Sequence, residues 1–344
     1  MRIIRPGVSR TTAGARQARE VSYRACAVVA ACTVAFACGG SGGASDPPVS
    51  PSPSPSFSQL TLFPARLVAI VGEPITLRVT ARDSAGAEVS NVVPEYSSTN
   101  PGVVRVDPGG RLVASGVGSV TVRASAGGQT AESVIHVGSA AYDLSALGPP
   151  RVLSASYIDL SKIERISRFR SAIGHSFTDA SGETCRSMKH YFQPKLSVDW
   201  TAVDVYAPAS GTIWQIAPDG AFGSRVVLRP RDLAALEVTI FHVNLEPGIV
   251  VNSWVDSGDR LGRHASSGTM SDIAASVGSR PIGTLVSYFQ VMSDDVFAQY
   301  QARGIPSREA AMITRAERDA DPVPCVGESQ FLVTGTLSNW LSLN

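Results

Sequence analysis

At 344 residues, with 44% hydrophobic but only 7% aromatic content, the chain is long enough to bury two modest cores, and a single domain is disfavoured. Formal net charge is +1, and because six arginines and one glutamate precede Cys38, the remainder carries 24 basic against 28 acidic residues. That balance argues against nucleic acid as a partner.

Arginines are scattered up to Arg24, and the apolar stretch Ala25–Ala37 is too short to span a bilayer comfortably, which predicts a signal peptide over 1–37. Ala37-Cys38 followed by Gly-Gly-Ser-Gly-Gly resembles a bacterial lipoprotein cleavage site. The resemblance implies lipidation of Cys38, so that the membrane is met through a lipid anchor only. Cys32, in Val29-Ala-Ala-Cys32, is the second choice, and secretion without lipid is the alternative. If Cys26 and Cys32 are removed with the signal peptide, Cys185 and Cys325 are the only unmodified thiols, in an oxidising compartment. A bond between them would tie the start of the second domain to its end; two free buried thiols are the other reading.

Residues 38–58 are poor in large apolar side chains and contain Ser50-Pro-Ser-Pro-Ser-Pro-Ser56, which predicts an extended tether. Between 59 and 138 the pattern changes to short alternating runs. Ile75, Leu77, Val79 and Ala81 alternate with Thr76, Arg78, Thr80 and Arg82, and turns fall at Asp83-Ser-Ala-Gly86 and Asp107-Pro-Gly-Gly110. About seven strands in this length predict a β-sandwich. Val71-Gly72, Tyr96-Ser-Ser-Thr-Asn-Pro101, Val104-Arg-Val-Asp107 and Gly116–Ala124 together resemble bacterial Ig-like domains of group 2, which implies a spacer or adhesive module without catalytic residues. His136, near its end, reads as a surface residue at a strand edge.

Residues 139–160 form a connector and 161–344 a second domain rich in valine, isoleucine and glycine. Strands are expected at Val205–Ile216, Arg225–Leu228, Val238–Val243 and Leu285–Met292. A helix is expected over Ser293–Arg303, with a serine cap, acids in the first turn and Gly304 as a stop, and another from Ser307 to about Arg318. The fold class is therefore mainly β: an Ig-like β-sandwich followed by a β-rich domain with short C-terminal helices.

Val205-Tyr-Ala-Pro-Ala-Ser-Gly-Thr-Ile213, Ile240-Phe-His-Val-Asn-Leu245 and Val255-Asp-Ser-Gly-Asp-Arg-Leu-Gly262, in this order, resemble the core of lysostaphin-type (LytM-like) zinc endopeptidases. The resemblance implies a barrel-sandwich domain, with His242 as the catalytic histidine that stabilises the developing oxyanion. A hydrogen-bonded, half-buried His242 is the structural alternative. The family's zinc-binding His-x-His strand corresponds to Thr269-Met-Ser-Asp-Ile-Ala-Ala275, which has no histidine; Asp272 and Ala274 take the two alternating positions.

The family's His-x-x-x-Asp spacing occurs at His175 and Asp179, well upstream of the expected place, whereas His190 lies nearer to it but has Pro194 four residues on. A rearranged zinc site would draw on His175, Asp179, His190 and Asp272; an empty polar groove is the equal alternative. His264 reads as a solvated loop residue. Ser187-Met-Lys-His190 resembles a biotin or lipoate attachment turn, but export and the non-hairpin flanks argue against that modification, and no nucleophile elbow is present for serine hydrolase chemistry.

Three functions follow as expectations. The first is an envelope protein whose divergent domain binds peptidoglycan or regulates an envelope enzyme, so that the partner is peptidoglycan or an envelope protein; the second is a metallohydrolase cutting peptidoglycan crosslinks with altered ligands; the third is a structural or adhesive surface protein.

Overall fold

The computed structural model describes residues 56–278, 283–326 and 330–344. The expected signal peptide, Cys38 and nearly all of the tether lie outside them.

The first domain is built from β1 (Gln59–Phe63), β2 (Arg66–Ile70), β3 (Pro74–Thr76), β4 (Arg78–Arg82), β5 (Glu88–Val89), β6 (Glu95–Ser98), β7 (Val104–Val106), β8 (Arg111–Ala114), β9 (Gly118–Ala126) and β10 (Gln129–Gly138). They form three small sheets, ordered β1-β4-β5, β2-β10-β9-β6 and β3-β8-β7, around one apolar core. The strands outnumber the seven expected because single runs change sheet. The run from Ile75 to Arg82 hands over at Leu77, whose N–H bonds Gly110: β3 pairs with β8, and β4 with β1. The expected alternation is kept, with Ile75, Leu77 and Ala81 buried. His136 is not at an edge. Its strand lies between β2, which runs parallel to it, and β9; its Nδ1 is 2.9 Å from Ser119 Oγ.

A single-turn helix, α1 (Leu144–Leu147), lies in the connector. The second domain contains β11 (Ile163–Ser167), β12 (His190–Pro194), β13 (Asp204–Tyr206), β14 (Gly211–Pro218), β15 (Ser224–Pro230), β16 (Leu236–Leu245), β17 (Trp254–Val255), β18 (Arg260–His264), β19 (Ser271–Val277), β20 (Thr284–Val286) and, near the C-terminus, β21 (Cys325–Val326), β22 (Gln330–Phe331) and β23 (Trp340–Ser342). One long sheet runs β17-β14-β15-β16-β19-β12-β11-β23, with β18 joined to β16 and β13, and β20 to β19. The run expected as one strand over Val205–Ile216 is divided at Ala207–Ser210. At Gly211 the backbone passes so close to β15 that a Cβ would lie 2.2 Å from the Arg229 carbonyl oxygen.

The strand expected over Leu285–Met292 is corrected: only Thr284–Val286 is extended, and Tyr288–Val291 is a helix, α2. Ser287 and Gln290 form a capping box, satisfying the N–H groups that a strand would have offered to a neighbour. Next comes α3 (Asp294–Gln301), capped by Ser293 as expected. The second expected helix starts later, at α4 (Arg315–Ala320), where Thr314 and Glu317 form another capping box. Among the described residues no helix is long and apolar enough to cross a membrane.

Two separate apolar cores, one between Leu60 and Val137 and one between Leu153 and Ala311, are joined by a smaller apolar cluster of Val68, Ile70 and Ala234. Beside it, the fully buried Arg229 reaches from β15 to Glu73 at 2.6 Å and Glu237 at 3.4 Å and stacks on Trp214. Val68 N–H donates to Thr212 Oγ1 at 2.8 Å across the same junction. Cys185 and Cys325 form a disulfide, closing a loop between residues 140 apart in sequence.

Candidate functional site

The site is built on three neighbouring strands. Tyr191 of β12, Asp272 of β19 and Phe241 of β16 stand opposite one another in register, as do His190, Ile273 and Ile240 one step along. Residues opposite in antiparallel strands share a face, and successive residues alternate. The first trio therefore looks into a cleft and the second into the main core, which settles the direction of every side chain nearby.

At His242 the backbone is left-handed, with φ +61°, and there β16 stops pairing with β19 and begins pairing with β18. A left-handed non-glycine residue is uncommon and costs on the order of 1–3 kcal/mol. Its effect is to break the alternation, so that Phe241 and His242 both reach the Asp272 side. His242 Nε2 lies 3.1 Å from Asp272 Oδ1, and Nδ1 lies 2.8 Å from Oδ2 of Asp219, in the turn after β14. The Asp219 carboxylate also accepts the His242 backbone N–H at 3.2 Å. The Nδ1 contact and those at both Asp272 oxygens are close in distance but off the direction of a hydrogen bond.

Lys189 immediately precedes β12 and points to the same face as Tyr191. It is 2% exposed, and its ammonium group makes an ion pair with Asp272 Oδ2, itself fully buried. Nζ is also 3.1 Å from His175 Nε2 and sits over the rings of Phe241, Tyr191 and Phe177 at 4.3, 4.8 and 5.1 Å. His175 Nδ1 faces the Ser176 carbonyl at 2.8 Å; a carbonyl only accepts, so Nδ1 carries the proton and the bare Nε2 accepts from Lys189. Burial, and then the Lys189 charge, hold the His175 pKa below its ordinary value, consistent with that neutral tautomer. Burial opposes ionisation of Asp272, but Lys189 and His242 outweigh it and keep its carboxyl below the usual range. Gly174 makes room for this arrangement, since a Cβ there would lie 2.1 Å from the Tyr191 ring.

The four residues expected to share a zinc ion are thus divided. His175 and Asp272 are bridged by Lys189. Asp179 is engaged elsewhere, its carboxylate accepting from the N–H groups of Leu285 at 2.7 Å and Ser181 at 2.9 Å. His190 projects to the opposite face of the sheet, where Nδ1–H donates to the Ser167 carbonyl and Nε2 accepts from Ser287 Oγ, both at 2.8 Å. His264, expected to be solvated, is fully buried at the end of β18, and its Nε2–H donates to the Thr269 carbonyl at 2.8 Å. Ala274 packs with Phe169, Met188, Phe241 and Leu285 in an apolar cluster. Among the described residues no group of three or more histidine, cysteine, aspartate or glutamate side chains is placed to hold a metal ion. A zinc ion does not fit this arrangement, because the point between His175 and Asp272 is filled by an ammonium group.

Burial of His190 lowers its pKa to about 4 from 6.5. The unfolded chain then binds more protons than the folded one between those values, so stability is full above the unfolded value and is lost as the pH falls towards the folded one. About 3 kcal/mol should disappear between neutral pH and pH ~4 on this account. Urea unfolding across that range measures it, and His190→Gln should flatten this part of the slope; an unchanged slope would remove His190 as its source.

Above the charged floor lies an open cleft of about 570 Å³, lined in part by Leu196, Trp200, Phe222 and Met270, with His175 and His242 at its base. Leu196 is 83% exposed, and the Phe222 ring lies 5.6 Å from that of His242.

No protein-family model matches the chain, and no curated protein matches it. Among solved structures, the chain is similar to Helicobacter pylori Csd3, at 18% identity over 48% of this chain and 47% of that one, with a TM-score of 0.29. A zinc containing peptidase from Vibrio cholerae aligns at 11% identity over 60% of this chain and 76% of that one, with a TM-score of 0.30. A putative peptidase M23 from Pseudomonas aeruginosa aligns at 15% identity over 57% and 86%, with a TM-score of 0.23. The matches span less than half the length of the Csd3 chains. At these overlaps the chemistry has to be read from the site itself.

Two site residues, Lys189 and Asp219, were not singled out as functional by sequence reasoning. Lys189 was visible only as part of a modification-like turn, from which its burial removes it. Asp219 carries no spacing signal, because a hairpin turn brings it to His242 from 23 residues away.

Proposed function

We propose that this chain is an exported envelope protein whose second domain binds peptidoglycan, by its peptide portion, without cutting it. The observation that carries this reading is the ion pair of Lys189 and Asp272. It fills the point between His175 and Asp272 with a paired ammonium group, while the cleft lined by His175 and His242 stays open. Leu196, Trp200, Phe222 and Met270 offer apolar contact to a ligand backbone and its aliphatic side chains, and Gln193 and Thr269 offer polar groups beside them. The disulfide suits an oxidising compartment outside the cytoplasm. A lipid at Cys38 and an Ig-like spacer would hold such a cleft away from the membrane.

Co-sedimentation of the purified chain with peptidoglycan sacculi tests this. The chain should pellet with sacculi, Trp200→Ala should weaken the association, and no soluble peptide fragments should be released. Fragment release that requires His242 would replace binding with hydrolysis, and failure to pellet would end the peptidoglycan assignment.

A further inference from the structure

We infer that Gln193 selects a carboxylate on the ligand: its side-chain amide is a one-way donor to the cleft, held in that sense by Arg165, whose charge favours an anionic acceptor. The inference rests on the reading of the cleft as a peptide-binding site and names the group on that peptide which the cleft recognises.

Three neighbouring strands bring the parts together. Gln193 lies on β12 two residues beyond Tyr191, on the face that looks into the cleft, and lines the cleft wall. Arg165 of β11 stands opposite it in register, and Trp340 of β23 lies on the far side of Arg165, whose guanidinium is 4.3 Å from the centre of the indole ring. Arg165 Nε and Nη2 donate to the Gln193 side chain at 3.0 and 2.8 Å. A guanidinium has no acceptor, so the atom it meets is the amide oxygen, which fixes the way round that the amide sits. Two donors on one oxygen occupy both of its lone pairs. What remains is the NH2 group, which has no partner among the described residues and is not sealed from solvent.

A ligand that meets Gln193 must therefore bring an acceptor, and the surroundings set its charge. Asp272 and Asp219, the acids at the base of the cleft, are already engaged by Lys189 and His242. Arg165 has no carboxylate partner among the described residues; it meets the neutral amide of Gln193 and the ring of Trp340. Donation from a cation to the oxygen polarises the amide and strengthens its NH2 group as a donor. The charge behind that group then favours a carboxylate over a neutral carbonyl. Leu196 and Trp200, a few residues along the chain, line the cleft beside this point with apolar surface. The group recognised is thus a carboxylate on a peptide with aliphatic neighbours.

The test is co-sedimentation of the full chain with two preparations of peptidoglycan sacculi, one native and one whose peptide carboxyl groups have been converted to amides with carbodiimide and ammonia. The wild type is expected to bind native sacculi about tenfold more tightly than amidated ones, the scale of one charge-assisted hydrogen bond. Gln193→Met, which removes the donor without altering net charge, should abolish that preference, and so separates it from the bulk charge of the sacculi. Arg165→Met should lose most of the preference while binding amidated sacculi as the wild type does, and Arg165→Lys should restore part of it. Equal wild-type binding to both preparations would overturn the carboxylate inference and leave peptidoglycan binding standing, as would a folded Gln193→Met chain that keeps the preference. If neither preparation pellets the chain, the peptidoglycan reading falls by itself. In that case, or if the variants do not fold, nitrogen-15 NMR of the native chain decides: N-acetyl-alanyl-alanine should move the Gln193 side-chain NH2 signals more than its C-terminal amide does, and equal or absent shifts overturn the inference.

Discussion

Asp272→Ala is expected to destabilise the fold by about 3–5 kcal/mol, the usual cost of deleting one partner of a buried ion pair and leaving the other charge uncompensated. Asp272 is fully buried and Lys189 is 2% exposed, so water cannot take over the role of the carboxylate. What would remain around the ammonium is one imidazole nitrogen and three aromatic rings, which together do not replace a full counter-charge. The shift should appear in the urea midpoint with little change in m, since the surface exposed on unfolding is nearly the same. Lys189→Met/Asp272→Ala should recover much of the loss, because removing both charges abolishes the uncompensated one. The effect also has a defined pH dependence. The folded-state pKa of Asp272 is depressed, so its contribution is complete above the ordinary carboxylate value and is lost as the pH falls through the depressed one. The difference between wild type and Asp272→Ala should therefore narrow in acid. A cost below about 1 kcal/mol at neutral pH would mean that the pair is hydrated and behaves as a surface salt bridge.

The same pair shows where sequence reasoning reaches and where it stops. Alternation made the strands of the first domain visible at Ile75–Arg82, and the second domain was read from its runs around Val205, Val226 and Val238. The division of single runs between sheets was not visible, because a handover at Leu77 or a backbone approach at Gly211 leaves the hydrophobic pattern unchanged. At Leu285–Met292 a largely apolar run suits a strand or a buried helix equally, and its two polar residues, Ser287 and Gln290, decided for the helix. In the cleft the decisive variable was parity. Lys189 and His190 are adjacent, so only one can face Asp272, and chemistry favoured the histidine while the register of β12 chose the lysine. Asp219 and the left-handed turn at His242 are products of tertiary structure, with no local spacing to announce them.

Opening the Cys185–Cys325 disulfide should also have a large effect, by a different route. Chain-entropy reasoning assigns about 5 kcal/mol to a closure of this length, most of it through the unfolded state, and strain or residual structure commonly reduces the measured value. The folded state has its own links in this region. Glu183 pairs with Arg170 at 2.7 Å and with Arg186 at 2.8 Å, and Arg186 reaches Asp319 at 2.8 Å, which ties the segment bearing His175 and Lys189 to the C-terminal helices. A Cys185→Ser/Cys325→Ser chain should therefore still fold, with its urea midpoint lowered by an amount equivalent to several kcal/mol. Those ion pairs hold the segment near Cys185, so loosening should be greatest on the Cys325 side, around Val323 to Val326. Hydrogen exchange read by residue would show whether that side opens first. A loss confined to the unfolded-state term would leave native exchange at Lys189 unchanged, whereas faster exchange there would make the disulfide part of the scaffold that positions the cleft cation.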